Sequence, residues 1–153
     1  MNEIKAFSEA IQYIKISVGE EFYGIDISIV DNIVRMQRIT RVPNVAQYIK
    51  GVINLRGEIV PIMKLRLKMG LPEIEYTKTT RIIIIKTEAV GKIGLIVDAV
   101  KEVVALDDSQ IEKLPYDNND ENHFVSAVDK IEDTLISLLD ISAVLADKQL
   151  REE

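Results

Sequence analysis

Between Tyr48 and Leu67 the chain reads YIKGVINLRGEIVPIMKLRL, two short apolar strings parted by an Arg-Gly pair. Ile49, Val52, Ile53 and Leu55 lead in, and Ile59, Val60, Ile62, Met63 and Leu65 lead out. This predicts a β-hairpin turned at Arg56-Gly57, where glycine takes the positive φ of a tight turn. Alternation and turn position place Leu55 and Val52 in the core, together with Ile131 in a later segment, and expose Arg56. Pro61 cannot donate to a ladder, so an edge or a bulge is expected there. Val18 to Ile27 reads as a second hairpin around Gly19-Glu20-Glu21. Asp31 to Met36, Arg81 to Thr87, Ile93 to Val97 and Glu102 to Ala105 read as short strands rich in Ile and Val. Short helices are expected near Asn44-Val45-Ala46-Gln47 and from Leu65 to Met69, the latter stopped by Gly70 and Pro72. A helical turn is expected at Asp108-Ser109-Gln110-Ile111 and a terminal helix from Ile141 to Leu150. Many short strands with closely spaced turn signals point to small barrels rather than a parallel sheet.

The apolar pattern repeats. Setting Tyr48 to Leu65 on Phe124 to Ile141, at an offset of 76, pairs apolar with apolar at nine of eighteen positions. The Arg56-Gly57 turn then falls on Glu132-Asp133, another turn-compatible pair. Upstream, Gly24-Ile25-Asp26-Ile27 matches Gly94-Leu95-Ile96-Val97 at an offset of 70, and Val30, Ile33 and Val34 fall on Val100, Val103 and Val104. An insertion in the second copy, at the polar run from Tyr116 to Asn122, accounts for the difference. The expectation is a single domain over 12–150 made of two pseudo-repeats, about 12–75 and 81–145, with strands free to be exchanged between two barrels.

Composition narrows the function. The 153 residues are 47% hydrophobic and 29% charged, which suits a packed globule and not a disordered chain. A formal net charge of −6 opposes non-specific binding to nucleic acid, and the few aromatics are not interleaved with basic residues. No cysteine is present, so disulfides, thiolate metal sites and a cysteine nucleophile are excluded. The opening residues lack the apolar run of a signal peptide, and the longest aliphatic run, Ile82 to Ile85, is far short of a membrane span. A soluble, cytoplasmic protein is expected.

Candidate chemistry is sparse. His123 is the only histidine and sits among acidic and Asn residues, as a solvated side chain would. Asp117, Asp120 and Glu121 lack the spacing of a calcium loop. Gly91-Lys92-Ile93-Gly94 lacks the residues of a phosphate cradle and reads as a turn entering a strand. No catalytic residue, cofactor or metal is expected. Arg56 is the exception worth singling out: a guanidinium at a hairpin tip suits a bidentate bond to a carboxylate, although an ordinary surface arginine would look the same.

From Val42 the chain reads VPNVAQYIKGVINLRGEIVPIMKLR, which resembles the signature of the CheW family of chemotaxis scaffold proteins. The resemblance spans roughly Tyr13 to Leu145 and is strongest from Val42 to Arg66. It departs from the family pattern at Lys64, where an acid is common, at Ala46 in place of Pro, and at Ala127 in place of Gly. It implies an all-β fold of two five-stranded barrels of Src-homology type packed together, with short helices. It implies a non-catalytic adaptor that couples chemoreceptors to a histidine kinase. The implied partners are the regulatory domain of the CheA kinase and the cytoplasmic tip of methyl-accepting receptors, at receptor arrays. The implied contact residues are Arg56, Val30, Ile33, Lys50, Asn54 and Ile59. Val30 and Ile33 either line a groove for receptor helices or belong to the core, while Gly51 and Gly57 read as backbone requirements. Alternatives are a CheW-like scaffold in another two-component pathway, a CheV-type adaptor or detached kinase regulatory domain, and, in a different class, a small-barrel nucleic-acid module. A full CheV needs a receiver domain for which 153 residues leave no room.

Overall fold

The computed structural model describes residues 10–88, 90–107, 111–113, 125–131 and 134–146. Its strands are β1 (Ile11–Val18), β2 (Glu21–Asp26), β3 (Val30–Arg35), β4 (Ile49–Leu55), β5 (Glu58–Lys64), β6 (Arg81–Thr87), β7 (Gly91–Val97), β8 (Ala99–Leu106), β9 (Ile111–Lys113), β10 (Val125–Ile131) and β11 (Thr134–Leu139). Two short α-helices, α1 (Leu65–Lys68) and α2 (Ile141–Leu145), follow β5 and β11, and a 3₁₀ turn, Ile27–Ile29, joins β2 to β3. The fold is mainly β, as the strand pattern predicts.

Two sheets form. One has five strands in the order β3-β6-β7-β5-β4, and the other has six in the order β8-β1-β2-β11-β10-β9. Replacing β1, β2, β3, β4 and β5 by β6, β7, β8, β10 and β11, and the reverse, turns the first order into the first five strands of the second. Register obeys the same mapping. In the five-stranded sheet the single parallel joint sets Ile62 opposite Gly94. In the six-stranded sheet it sets Leu138 opposite Gly24. These pairs are related by the offsets 76 and 70 seen in the sequence. The hairpin β4–β5 is irregular between Ile49 and Gly51, and β10–β11 between Val125 and Ala127, again 76 apart. The extra strand β9 has a reduced counterpart in the five-stranded sheet. There the chain leaving β3 bridges β4 at one residue, with Thr40 N–H donating to Val52 O and Val52 N–H to Thr40 O, both at 2.8 Å.

The chain divides into two compact units, 1–16 with 21–28 and 101–153, and 17–20 with 29–100. The second unit is built on Ile53, Val60, Ile62, Ile82, Ile84 and Ile96, with Val34, Met36, Ile39 and Leu55 packed against them. The first unit is built on Leu106, Ile136 and Leu138, joined by Tyr13, Phe22 and Val104. The aliphatic run Ile82 to Ile85 is buried throughout, as a strand covered on both of its faces must be.

Several local expectations need correction. Val52 and Leu55 are half-buried, and β4 buries Gly51 and, as its core side chain, Ile53, at 2% exposure. Positions 52 and 55 lie an odd number of residues apart, so a regular strand turns them to opposite faces, and Leu55 sits beside the turn where the core thins. No helix forms at Asn44 to Gln47; Asn44 has φ +62, outside helical space, and the stretch is bends and a turn closed by Ile49 N–H on Ala46 O at 2.9 Å. Ile111 opens β9 rather than closing a helical turn. Asp108 to Gln110, the run from Tyr116 to Asn122, His123, Phe124 and the turn at Glu132-Asp133 lie outside the described residues, as does the side chain of Ile131. Helix α2 stops at Leu145, because Ala146 is extended.

Pro61 occupies β5, an inner strand in the sheet order. Its partner across the hairpin is Val52, whose N–H and C=O both turn outward to Thr40. The Val52–Pro61 pair is therefore of the non-hydrogen-bonded kind, and the ring nitrogen of Pro61 points away from β4. On that side the pairing with β7 begins only at Ile62. Pro61 sits on a locally open edge, so its missing donor costs no ladder bond.

Candidate docking site

The β4–β5 hairpin ends in a two-residue turn with φ +54 at Arg56 and φ +87 at Gly57. Two positive values in succession are the signature of a type I′ turn, whose twist matches that of the flanking strands. Asn54 braces it, its Oδ1 accepting the Gly57 N–H at 2.9 Å. Gly57 is free of strain in this region, but an L-residue such as Arg56 is held there at a cost of roughly 1–2 kcal/mol. The guanidinium of Arg56 is exposed, as expected.

Asn54 and Ile59 face each other across the hairpin, next to Val52 and Pro61. Ile59 is 64% exposed, and Pro61 and Asn54 are exposed. This outward face is a narrow apolar strip ending in Arg56. Lys50, at the other end of β4, is half-buried with Nζ 5.2 Å from the centre of the Tyr76 ring. It is engaged with an aromatic face and does not join the turn cluster.

Glu58, the first residue of β5, accepts a hydrogen bond from Lys92 Nζ at 3.0 Å, and the same ammonium lies 3.6 Å from Asp31 Oδ2. One lysine on β7 thus ties the start of β5 to the start of β3. The bond to Glu58 is the main reason that Lys92 holds its proton above the ordinary lysine value; burial opposes it and the charges of Asp31 and Glu58 assist. Val30 and Ile33 flank Asp31 on β3. Val30 is half-buried and Ile33 is 37% exposed, so the two do not share one environment. In the sheet order they sit on the strand opposite to β4. The six expected contact residues lie on two elements: Lys50, Asn54, Arg56 and Ile59 along the β4–β5 hairpin, and Val30 and Ile33 on β3, whose Asp31 shares the Lys92 ammonium with Glu58 of the hairpin.

Asp31, Glu58 and Lys92 were missed by sequence reasoning, since nothing in local pattern brings three distant strand ends together. Pro61 was read only as a strand breaker, although its cross-strand position relative to Ile59 follows from the turn. Lys64, the charge-reversed position, pairs with Glu73 at 3.0 Å. Beside it, Arg66 Nη1 meets Asp98 Oδ2 at 2.6 Å, and that oxygen also accepts the Gly19 N–H at 2.8 Å. These contacts fasten loops to the sheet. Among the described residues no group of His, Asp or Glu is placed to hold a metal ion, and no helix is long and apolar enough to cross a membrane.

Fold and site define a small all-β module that presents an internally braced turn. The CheW-like domain family matches residues 12–149, and the chain belongs to that family. It is 38% identical over 148 residues to the chemotaxis protein CheW of Bacillus subtilis, covering 96% of this chain and 92% of that protein. It is 31% identical over 138 residues to the chemotaxis protein CheW of Helicobacter pylori, covering 90% and 82%. The crystal structure of the scaffolding protein TtCheW from Thermoanaerobacter tengcongensis superposes with a TM-score of 0.81 at 34% identity, covering 90% of this chain and 94% of that one.

Proposed function

We propose that this chain is a non-catalytic adaptor that joins the regulatory domain of a CheA-type histidine kinase to the cytoplasmic tip of chemoreceptors, at receptor arrays. Its membership of the CheW-like family makes it a chemotaxis coupling protein. The observation that carries the finer reading is the turn at Arg56. A residue kept in a left-handed conformation, where Gly or Asn would sit without cost, is a departure from local preference, and such departures gather at functional sites. The brace from Asn54 fixes the backbone of the turn that carries Arg56, beside the exposed Ile59, a charged anchor next to an apolar contact.

The adaptor role needs contacts and no reaction. Holding two partners together requires two separate surfaces, since one patch cannot serve both at once. The turn cluster and the outer face of β3 with Ile33 are the two surfaces assigned here. The test is titration of Arg56→Ala against a kinase regulatory domain and a receptor cytoplasmic fragment. Loss of one charge-assisted bond weakens binding to one partner by roughly 1.5–3 kcal/mol, at least tenfold in affinity. Unchanged affinity for both would return Arg56 to an ordinary surface residue.

A further inference from the structure

From Asn32 to Gly57 the chain carries Arg35, Arg38, Arg41, Lys50 and Arg56 and not one Asp or Glu, in a protein whose formal net charge is −6. The fold leaves these arginines exposed. Val34, Met36 and Ile39 pack against the core of the second unit, while Arg35, Arg38 and Arg41 are exposed. The Thr40–Val52 bridge fixes the backbone between Arg38 and Arg41. Elsewhere the cations are largely spoken for: Lys15 by Glu102, Lys64 by Glu73, Arg66 by Asp98, and Lys92 by Glu58 and Asp31. Arg81 donates to the carbonyls of Lys78 and Thr80. Arg35, Arg38 and Arg41 have no ion pair or side-chain hydrogen bond among the described residues.

We propose that the strip Arg35, Arg38 and Arg41 is a docking surface for a carboxylate-rich segment of a partner protein. This rests on the adaptor reading and adds to it the chemistry of one partner. Three exposed guanidinium forks within seven residues of chain match Asp and Glu side chains bidentately, and the absence of acids within the strip removes internal competition for them. An anionic bilayer is the poorer occupant, because the net negative charge of the whole chain opposes approach to an extended negative surface. An acidic peptide engages the strip locally and escapes most of that repulsion through screening.

The experiment is fluorescence anisotropy of labelled decaglutamate against the full chain, from low to physiological salt. Three variants accompany the parent: the triple change Arg35→Gln, Arg38→Gln, Arg41→Gln; the same three positions changed to Lys; and a control changing the exposed Lys78, Lys86 and Lys101 to Gln. The expected result is salt-sensitive binding by the parent, weakened roughly tenfold or more in the Arg→Gln triple, retained in part by the Lys triple, and kept within about twofold by the control. No binding by the parent, or equal loss in the control and the Arg→Gln triple, overturns the proposal. So does binding to vesicles one-third phosphatidylglycerol, lost in the Arg→Gln triple, with decaglutamate ignored. The Lys triple, with its charge kept, guards against a misfolded Gln variant. Decaglutamate reports on the strip without kinase or receptor fragments, so this proposal and the adaptor reading fail separately.

Discussion

At the scale of single residues, three positions connect backbone geometry to measurable outcomes. Gly51 has φ +156, and a Cβ there would stand 2.1 Å from the carbonyl oxygen of Thr40. Gly51→Ala sets a backbone clash on top of an unfavourable conformation and is expected to destabilise by roughly 2–6 kcal/mol, read by denaturant unfolding. The sequence already marked Gly51 as a backbone requirement; the approach of Thr40 came only from the fold. Arg56 behaves in the opposite sense. Arg56→Asn relieves the left-handed strain and is expected to stabilise by roughly 0.5–1 kcal/mol while weakening partner binding. A variant that is more stable yet binds less well is the mark of a residue kept for contact. Ile53→Ala, at a buried position of β4, is expected to cost roughly 2–5 kcal/mol, and Leu55→Ala less, because Leu55 is only half-buried. The misplacement of Leu55 and Val52 in the core has a simple origin: a bulge at Ile49–Gly51 and a turn at Arg56 bound a strand too short for hydrophobicity alone to choose its inner face.

At the scale of elements, the two helices that follow the paired hairpins explain one departure from the family pattern. Asp140 caps α2, its Oδ1 accepting the Ala143 N–H at 3.2 Å. The corresponding residue before α1 is Lys64, which makes no side-chain cap. Lys64→Asp restores the cap, worth about 1 kcal/mol, and gives up a partly exposed ion pair with Glu73 worth less. A modest rise in melting temperature is expected, and a fall would show that the Glu73 contact matters more than the cap. The strand ends joined by Lys92 give a pH prediction. The folded-state pKa of Lys92 is raised above its ordinary 10.5. Its stabilising contribution is therefore full below the unfolded pKa and is lost as pH rises through the folded one. Melting temperatures of the parent and Lys92→Met should differ at neutral pH and converge in strongly alkaline buffer. Strands and hairpins were legible because Ile and Val strings with Gly and Pro punctuation carry their own signal. The stretch at Asn44 was not, since a positive φ at one Asn, which ends helical geometry, leaves no trace in a propensity pattern.

At the scale of the whole molecule, the proposal of a duplicated unit rests on coincidences that local sequence cannot produce by itself. The same offsets govern the parallel joints, the hairpin irregularities and the helices after each hairpin. β3 lies in a sheet with β6, and β8 in a sheet with β1, so each sheet takes strands from both halves of the chain. Exchange of this kind makes each half depend on the other for a complete sheet, and a chain cut in the segment after Gly70 should not yield two independently folded halves. The exposed Ile59 has its counterpart in Leu135, 50% exposed at the matching position of the other hairpin. Repetition of an apolar position on two hairpins suits a protein that must offer more than one contact. The turn cluster was legible from the hairpin and the family resemblance, whereas the Lys92 link that brings Asp31 of β3 to Glu58 of the hairpin was not, because no local pattern joins distant strand ends.

The claim that this chain bridges two partners is tested most directly by sedimentation velocity on three purified components: this protein, a kinase regulatory domain and a receptor cytoplasmic fragment. A species containing all three is expected, absent from every pairwise mixture and reduced when Arg56→Ala replaces the parent. If the kinase domain and the receptor fragment displace each other from the protein, so that only binary complexes form at every ratio, the two partners share one surface and the adaptor account is contradicted.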